Sequence, residues 1–420
     1  MASRALHIAW LGAAPSAKES GGVPGVAREL LSGLSALGHR IDCFLPAAAG
    51  PEEPQELEAR SNIRFIRGTS EWSYGRWYSS GRAGIFLSGL ATRAIGSLRL
   101  RREVLRRHRA DPYDVVYQFS NIETLGMPAR LRGRVPLVIH PETHIAGELR
   151  FLWRERALAL RCQPARSFAL AAATMTVRSV VQRVRVRRAS LLICISTVFR
   201  DHLHRDYGFP LERTLVVPNP IRLERFTEPR LGRALAEPPT VLVLGRVSAR
   251  KGVEDVVAVA RELLARGSDA RVRVVGGATL WSDYRPLLED LPKENAEFAG
   301  RIPPSEIASE LTRADVMLAA SKYEPFGLTV AEALACGVPI VATSEVGAID
   351  GVSRSVVAET APGDVMAMTD AIEGMIERLR AEPRPLRENA REEAERLFAT
   401  ATVCAQISAA LQALVHGVQS

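Results

Sequence analysis

Lysine is almost missing from this chain. Only Lys18, Lys251, Lys293 and Lys322 occur, so nearly all of the positive charge is arginine. Cysteine is sparse too: Cys43, Cys162, Cys194, Cys336 and Cys404 are odd in number, scattered, and never in C-x-x-C spacing. That speaks against a disulfide framework and against a zinc site, and it points to a reducing, cytoplasmic setting. No apolar run approaches the roughly 20 residues that cross a bilayer. The first apolar run, HIAWLG, lacks a preceding basic stretch and leads into a glycine-rich loop, so a buried strand is expected there rather than a secretory signal. Two motifs are absent as well: D-x-D, a metal-binding pair, and G-x-G-x-x-G, the dinucleotide fingerprint.

What is present fits a soluble globular protein. The 420 residues are 47% apolar and 24% charged, enough for two domains with separate cores. Charge is unevenly held. Residues 1–218 carry 32 Lys+Arg against 18 Asp+Glu, and the remainder 23 against 29, so the halves stand at +14 and −6. A basic half attracts a membrane surface, nucleic acid or an anionic substrate without choosing among them.

Short β-branched runs alternate with helix-length segments almost throughout. HIAWLG, RIDCFLP, NIRFI, DVVYQF, PLVIH and LLICIS come first; TVLVLG, RVRVVG, AEFAG, DVMLAA and VPIVAT follow after a proline-rich, charged stretch. This pattern predicts an α/β protein of two doubly wound, Rossmann-like domains with parallel sheets, facing a cleft. The expected division is 1–219 for the first domain, 220–238 for a linker, 239–383 for the second domain, and 384–420 for a helical tail that crosses back to the first. Residues 147–188 read as helical and dense in arginine, with Phe151, Trp153 and Phe168 interleaved. Two readings stay open: a basic amphipathic helix on anionic lipid, or a long solvated helix covering the sheet.

The strongest segment is SKYEPFGLTVAEALACGVPIVAT at 321–343. Gly327 is expected to open a helix whose free N–H groups, at Gly327, Leu328 and Thr329, suit a phosphate. Glu324 precedes that helix and can accept from sugar hydroxyls; Glu332, eight residues on, can reach a ribose diol. On spacing alone, a capping and a surface glutamate would explain the same residues.

The segment resembles the E-x7-E motif of the retaining GT-B glycosyltransferases of family 4, matching E-P-F-G-L-T-V-A-E-A without a gap. The resemblance implies transfer of a sugar from a UDP- or GDP-linked donor to an acceptor hydroxyl, with retained anomeric configuration and no metal. It also implies donor contacts from Glu324, Phe326, Gly327, Leu328, Thr329 and Glu332. Gly245-Arg246-Val247-Ser248-Ala249-Arg250-Lys251-Gly252 is similar to the family's G-R-x4-K-G donor-phosphate site, where Arg246 and Lys251 would clamp a diphosphate. Gly21-Gly22-Val23 resembles the family's loop across the cleft, which favours Gly22. His140, ending PLVIH, stands where the family has a histidine beside the anomeric carbon, at a strand edge that suits ligands. His140-x-Glu142-x-His144 has metal-like spacing but no fixed helical face. Arg301 and Ile302 follow AEFAG, where similar proteins cradle the base; Ser321 precedes the motif.

One departure stands out. Where many relatives have G-G-x-x-E after V-A-T, this chain reads Gly347-Ala348-Ile349-Asp350, so Asp350 substitutes or the loop is rearranged. The expected catalytic group is therefore His140, Arg246, Lys251 and Glu324. The expected partners are a nucleotide-sugar donor, an unidentified acceptor and an anionic membrane touched peripherally at the inner face, with no nucleic acid. The other readings of the same residues are a nucleotide-sugar epimerase and a catalytically silent binding protein.

Overall fold

A computed structural model describes residues 4–13, 15, 22–45, 55–67, 98–120, 135–162, 164–226, 233–278 and 284–419. Seven parallel strands form the first sheet: β1 (His7–Gly12), β2 (Arg40–Phe44), β3 (Ile63–Ile66), β4 (Val115–Phe119), β5 (Leu137–His140), β6 (Leu191–Cys194) and β7 (Thr214–Val216). Their spatial order is β3-β2-β1-β4-β5-β6-β7. Six more, β8 (Thr240–Leu244), β9 (Arg271–Val275), β10 (Ala296–Gly300), β11 (Val316–Ala319), β12 (Ile340–Thr343) and β13 (Val357–Thr360), build a second sheet. Its order is β10-β9-β8-β11-β12-β13. Both are all-parallel, as alternating strands and helices require.

The central strands are rich in β-branched and aliphatic residues and buried on both faces; β1 and β4 expose almost nothing, while the edge strands β7, β10 and β13 are partly exposed. In each sheet the strand order reverses once, between β1 and β4 and between β8 and β11. Chains leaving the strand ends at such a point diverge to opposite faces and open a crevice.

Helix α1 (Gly22–Ala36) buries Val26, Leu30, Leu31 and Leu34 on the first sheet. The chain returns there at its other end. Helix α9 (Thr400–Gln419) buries Val403, Cys404, Ile407, Leu411 and Val415 in the same cluster, at about 1.5–3 kcal/mol for each large aliphatic chain. The two helices approach at Gly33, where an added Cβ would lie 2.4 Å from Cys404 Sγ. Thr400 donates to Glu29, and Ser408 bonds His39, at 2.9 and 2.7 Å. Cys43, Cys194, Cys336 and Cys404 are free thiols buried in the cores.

Residues 145–186 form three helices: α2 (Ile145–Arg154), a short one over Arg156–Cys162, and α3 (Ala165–Val186). The amphipathic expectation for this region needs correction in α3. Both faces of that helix are largely apolar, and its outward face exposes Leu170, Val177, Val180 and Val184.

Candidate donor site

Two glycines shape the crevice of the second sheet. After β8 the chain passes Arg246, makes a turn over Ala249–Lys251, and enters α5 (Val253–Ala265) through Gly252 at φ +69°. A Cβ on Gly252 would lie 1.9 Å from the Ala320 carbonyl oxygen, so only glycine lets this loop close against the loop after β11. That second loop reaches α6 (Leu328–Ala335) through Gly327 at φ +99°. Thus the unpaired N–H groups of α6 open beside the Arg246–Lys251 turn.

Together they border a cavity open to solvent, lined in part by Gly245, Arg246, Lys251, Ser321, Glu324, Gly327 and Thr329. Glu324 is held on several sides. Lys251 makes a close ion pair with its Oε2, and Arg250 Nη1 lies 3.1 Å from the same atom. Burial alone would raise this carboxyl, but Lys251 and Arg250 outweigh it and bring Glu324 down to about 2. Its peptide is fixed too: Glu324 N–H donates to Glu345 O, and Gly347 N–H donates to Glu324 O, both at 3.1 Å.

Glu332 faces elsewhere. It lines a second, smaller cavity with Gly22, Gly25, Arg28, Arg225, Leu328 and others. Burial raises its carboxyl to about 7, and Arg225 opposes this only in part. Gly22 begins α1 at φ +71° and so meets the far side of α6; Gly21 lies outside the described residues. Residues Leu328 and Thr329, adjacent on α6, thus face different cavities.

Phe326 needs correction as a donor contact. Its ring is buried and packs edge-on against Phe398, centroids 5.8 Å apart, while its carbonyl accepts from Ala348 N–H at 2.7 Å. The ring anchors the loop instead of lining either cavity. Arg301 is exposed and lies over Gly277 at the end of β10, with Ile302 half-buried beside it; neither lines the two cavities.

His140 is wholly buried and also lines neither cavity. Tyr117 Oη and His140 Nδ1 share a hydrogen bond of 2.7 Å, and burial lowers the imidazole to about 3. Glu142 Oε1 stands 3.6 Å from His140 Nε2, and Asn219 donates to Glu142 Oε2 at 2.7 Å. Burial raises Glu142 to about 8, despite that hydrogen bond. His140 Nε2 and Glu142 Oε1 are both buried without a hydrogen-bond partner. His144 turns away from this pair, its Nε2 3.0 Å from Asp206 and its Nδ1 2.9 Å from Tyr323 Oη. The H-x-E-x-H run therefore does not converge. Among the described residues, no group of three or more His, Cys, Asp or Glu is placed to hold a metal ion.

Three contacts tie the domains together beside Glu324. Tyr323 joins His144; Ser196 Oγ donates to Pro325 O at 2.7 Å; and Asp350 accepts from Thr197 N–H at the start of helix α4 (Thr197–Tyr207). Asp350 is thus a clasp on the first domain, lining neither cavity. Tyr323 O also accepts from Arg250 Nη1 at 3.1 Å, which links the clasp to the guanidinium that holds Glu324. Arg250, Tyr323 and Ser196 were not singled out in the sequence. Arg250 adjoins Lys251, so motif spacing could have suggested it; the hydrogen bonds from Tyr323 to His144 and from Ser196 to Pro325 cross a domain boundary, which local spacing does not show.

Comparison with known proteins agrees with this architecture. Residues 227–396 match the family described as glycosyl transferases group 1, and residues 20–225 match glycosyltransferase family 4. D-inositol 3-phosphate glycosyltransferase 2 of Catenulispora acidiphila is 29% identical over 374 residues, 83% of this chain and 81% of that protein. Glycogen synthase of Mycobacterium tuberculosis is 30% identical over 205 residues, 46% of this chain and 47% of that one. The chain thus spans about half the length of that relative. Among solved structures, sucrose-phosphate synthase from Thermosynechococcus elongatus superposes with TM-score 0.69 at 21% identity, covering 98% of this chain and all of that one. HepE of Anabaena, solved with UDP and glucose, gives 0.61 at 20%, over 97% of this chain and all of that one. The fold is GT-B. The chain belongs to the group 1, family 4 glycosyltransferases.

Proposed function

We propose that this protein transfers a sugar, with retained anomeric configuration, from a UDP- or GDP-sugar to an acceptor hydroxyl, without a metal. The observation that carries the reading is Glu324, ionised between Lys251 and Arg250 in a cavity at the N-terminus of α6. HepE, of the same fold, was solved with UDP and with glucose, which favours a sugar nucleotide here.

The donor diphosphate takes the place of Glu324 as the partner of Lys251, and Arg246 meets it from the other side of the turn. Leu328 and Thr329 N–H groups share its charge. Glu324, released, accepts from sugar hydroxyls, and Glu332 accepts from the ribose diol. The acceptor oxygen attacks from the leaving-group face as the anomeric carbon–phosphate oxygen bond breaks. Its proton passes to the departing phosphate oxygen. Fixed cations and N–H groups stabilise the leaving charge, the task a metal would otherwise perform. His140, neutral and rigid, steadies the sugar from the first domain. Gly22 approaches the donor across the cleft, while Arg301 and Ile302 border the base. The acceptor side lies on the basic first domain, divided from the donor domain at 220–238, and the protein touches an anionic membrane peripherally from the cytoplasm.

The test is the melting temperature of the purified protein against UDP-, GDP-, ADP- and dTDP-sugars, with and without EDTA. A ligand of the native state raises it. A selective rise that survives EDTA and is lost in Lys251→Ala is expected. No rise with any sugar nucleotide would overturn the assignment.

A further inference from the structure

Residues 156–200 contain nine arginines and no aspartate or glutamate. Helix α3 occupies the middle of this stretch with 22 residues, a length of about 33 Å. Strands β5 and β6, which it connects, have four residues each, about 13 Å. The helix is therefore far longer than the strands it joins.

Its inner face is accounted for. Phe168, Ala171, Ala172 and Gln182 are buried, with Gln182 Oε1 accepting from Ile145 N–H at 2.9 Å. The outer face is the anomaly. Leu170, Val177, Val180 and Val184 recur at helical spacing and are 39%, 61%, 60% and 47% exposed. A solvated helix would place charge there. Instead, the stripe itself is uncharged and is flanked by Arg166, Arg178 and Arg183, with no acidic residue in the helix. On the inner side of its N-terminal half, Trp153, 49% exposed, packs edge-on against Phe168, centroids 5.4 Å apart.

We propose that this face of α3 is the membrane-docking surface, lying flat on an anionic lipid bilayer with its valines in the acyl boundary and its arginines among the phosphates. An apolar stripe flanked by arginines and free of acidic residues matches that boundary in both hydrophobicity and charge. A second copy of the chain is a poorer occupant. In a two-fold contact the stripe meets itself, so arginine ends face arginine ends whichever way the helices run. The proposal rests on the peripheral-membrane part of the function above and is independent of the donor site.

The measurement is co-sedimentation with phosphatidylcholine vesicles, alone or mixed equally with phosphatidylglycerol. Wild type should pellet with the mixed vesicles at low salt and at least about tenfold less with the neutral ones or at high salt. Val177→Asp with Val180→Asp should abolish pelleting while leaving the melting temperature and its rise with donor unchanged, since both side chains already face solvent. No pelleting at low salt, or equal pelleting by the double variant, would overturn the proposal. So would a wild-type dimer in solution that the double variant converts to monomer. The donor-induced rise separates failure here from failure of the transferase assignment.

Discussion

Glu324 and Glu332 stand eight residues apart on one loop and helix, both out of bulk water, and they are shifted in opposite directions. Glu324 is brought to about 2 because two cations, Lys251 and Arg250, overcome its burial. Glu332 rises to about 7 because Arg225 alone does not. Equal residue types in one motif thus begin from different charge states: one cavity holds a fixed anion paired to cations, the other a carboxyl that titrates near neutrality. The first suits an exchange of partners with a diphosphate. The second suits hydrogen bonding that responds to pH.

The largest test of this difference is Lys251→Ala. It removes the closest cation and is expected to lower kcat by on the order of 10²-fold or more, the scale of one lost transition-state donor. Unchanged turnover would mean that Glu324 is not held for a diphosphate.

A pH titration of stability sharpens the contrast. Glu332 binds a proton more tightly in the folded state, so its contribution is full below its ordinary value of 4.5 and is lost as pH rises through about 7. Glu324 has the opposite sign, its contribution present above 4.5 and lost as pH falls toward about 2. Chemical denaturation of Glu332→Gln should lack about 3 kcal/mol of the decline between pH 4.5 and about 7. Glu142, raised to about 8, adds a decline of the same sign at higher pH, which the variant leaves intact. An identical profile for variant and wild type would place Glu332 in contact with water.

The smallest effect is expected from Tyr323→Phe. This variant keeps the ring stacked on His202 at 5.3 Å but loses the hydrogen bond to His144. A loss of about 1 kcal/mol follows, near fivefold in kcat with donor KM little changed. A larger change in donor KM than in kcat would show that the clasp serves binding rather than domain closure.

Much of this was legible beforehand. The eleven strands expected from β-branched runs all form; β7 and β13 escaped notice because they are short edge strands with partly exposed faces, where the apolar signal is weakest. Glu324, Lys251 and Arg246 share a cavity, as motif spacing suggests, because each sits within a few residues of a strand end at one switch point. Phe326 misled because sequence proximity to Glu324 does not settle on which side of the loop its ring lies. Asp350 matched a missing glutamate by position, yet its partner is Thr197, more than a hundred residues away.

The sequence by itself determined the alternation of strands and helices, the glycine that opens the helix after Glu324, and the spacing of Arg246, Lys251 and Glu324 along the chain. All of these follow from local pattern and backbone freedom. Only the tertiary structure decided that Glu324 is ionised, that His140 and Glu142 are neutralised by burial, that the domains clasp through Tyr323, and that α3 turns an apolar face outward. Charge state and exposure depend on what surrounds a side chain in space, and those surroundings come from residues far apart in the chain.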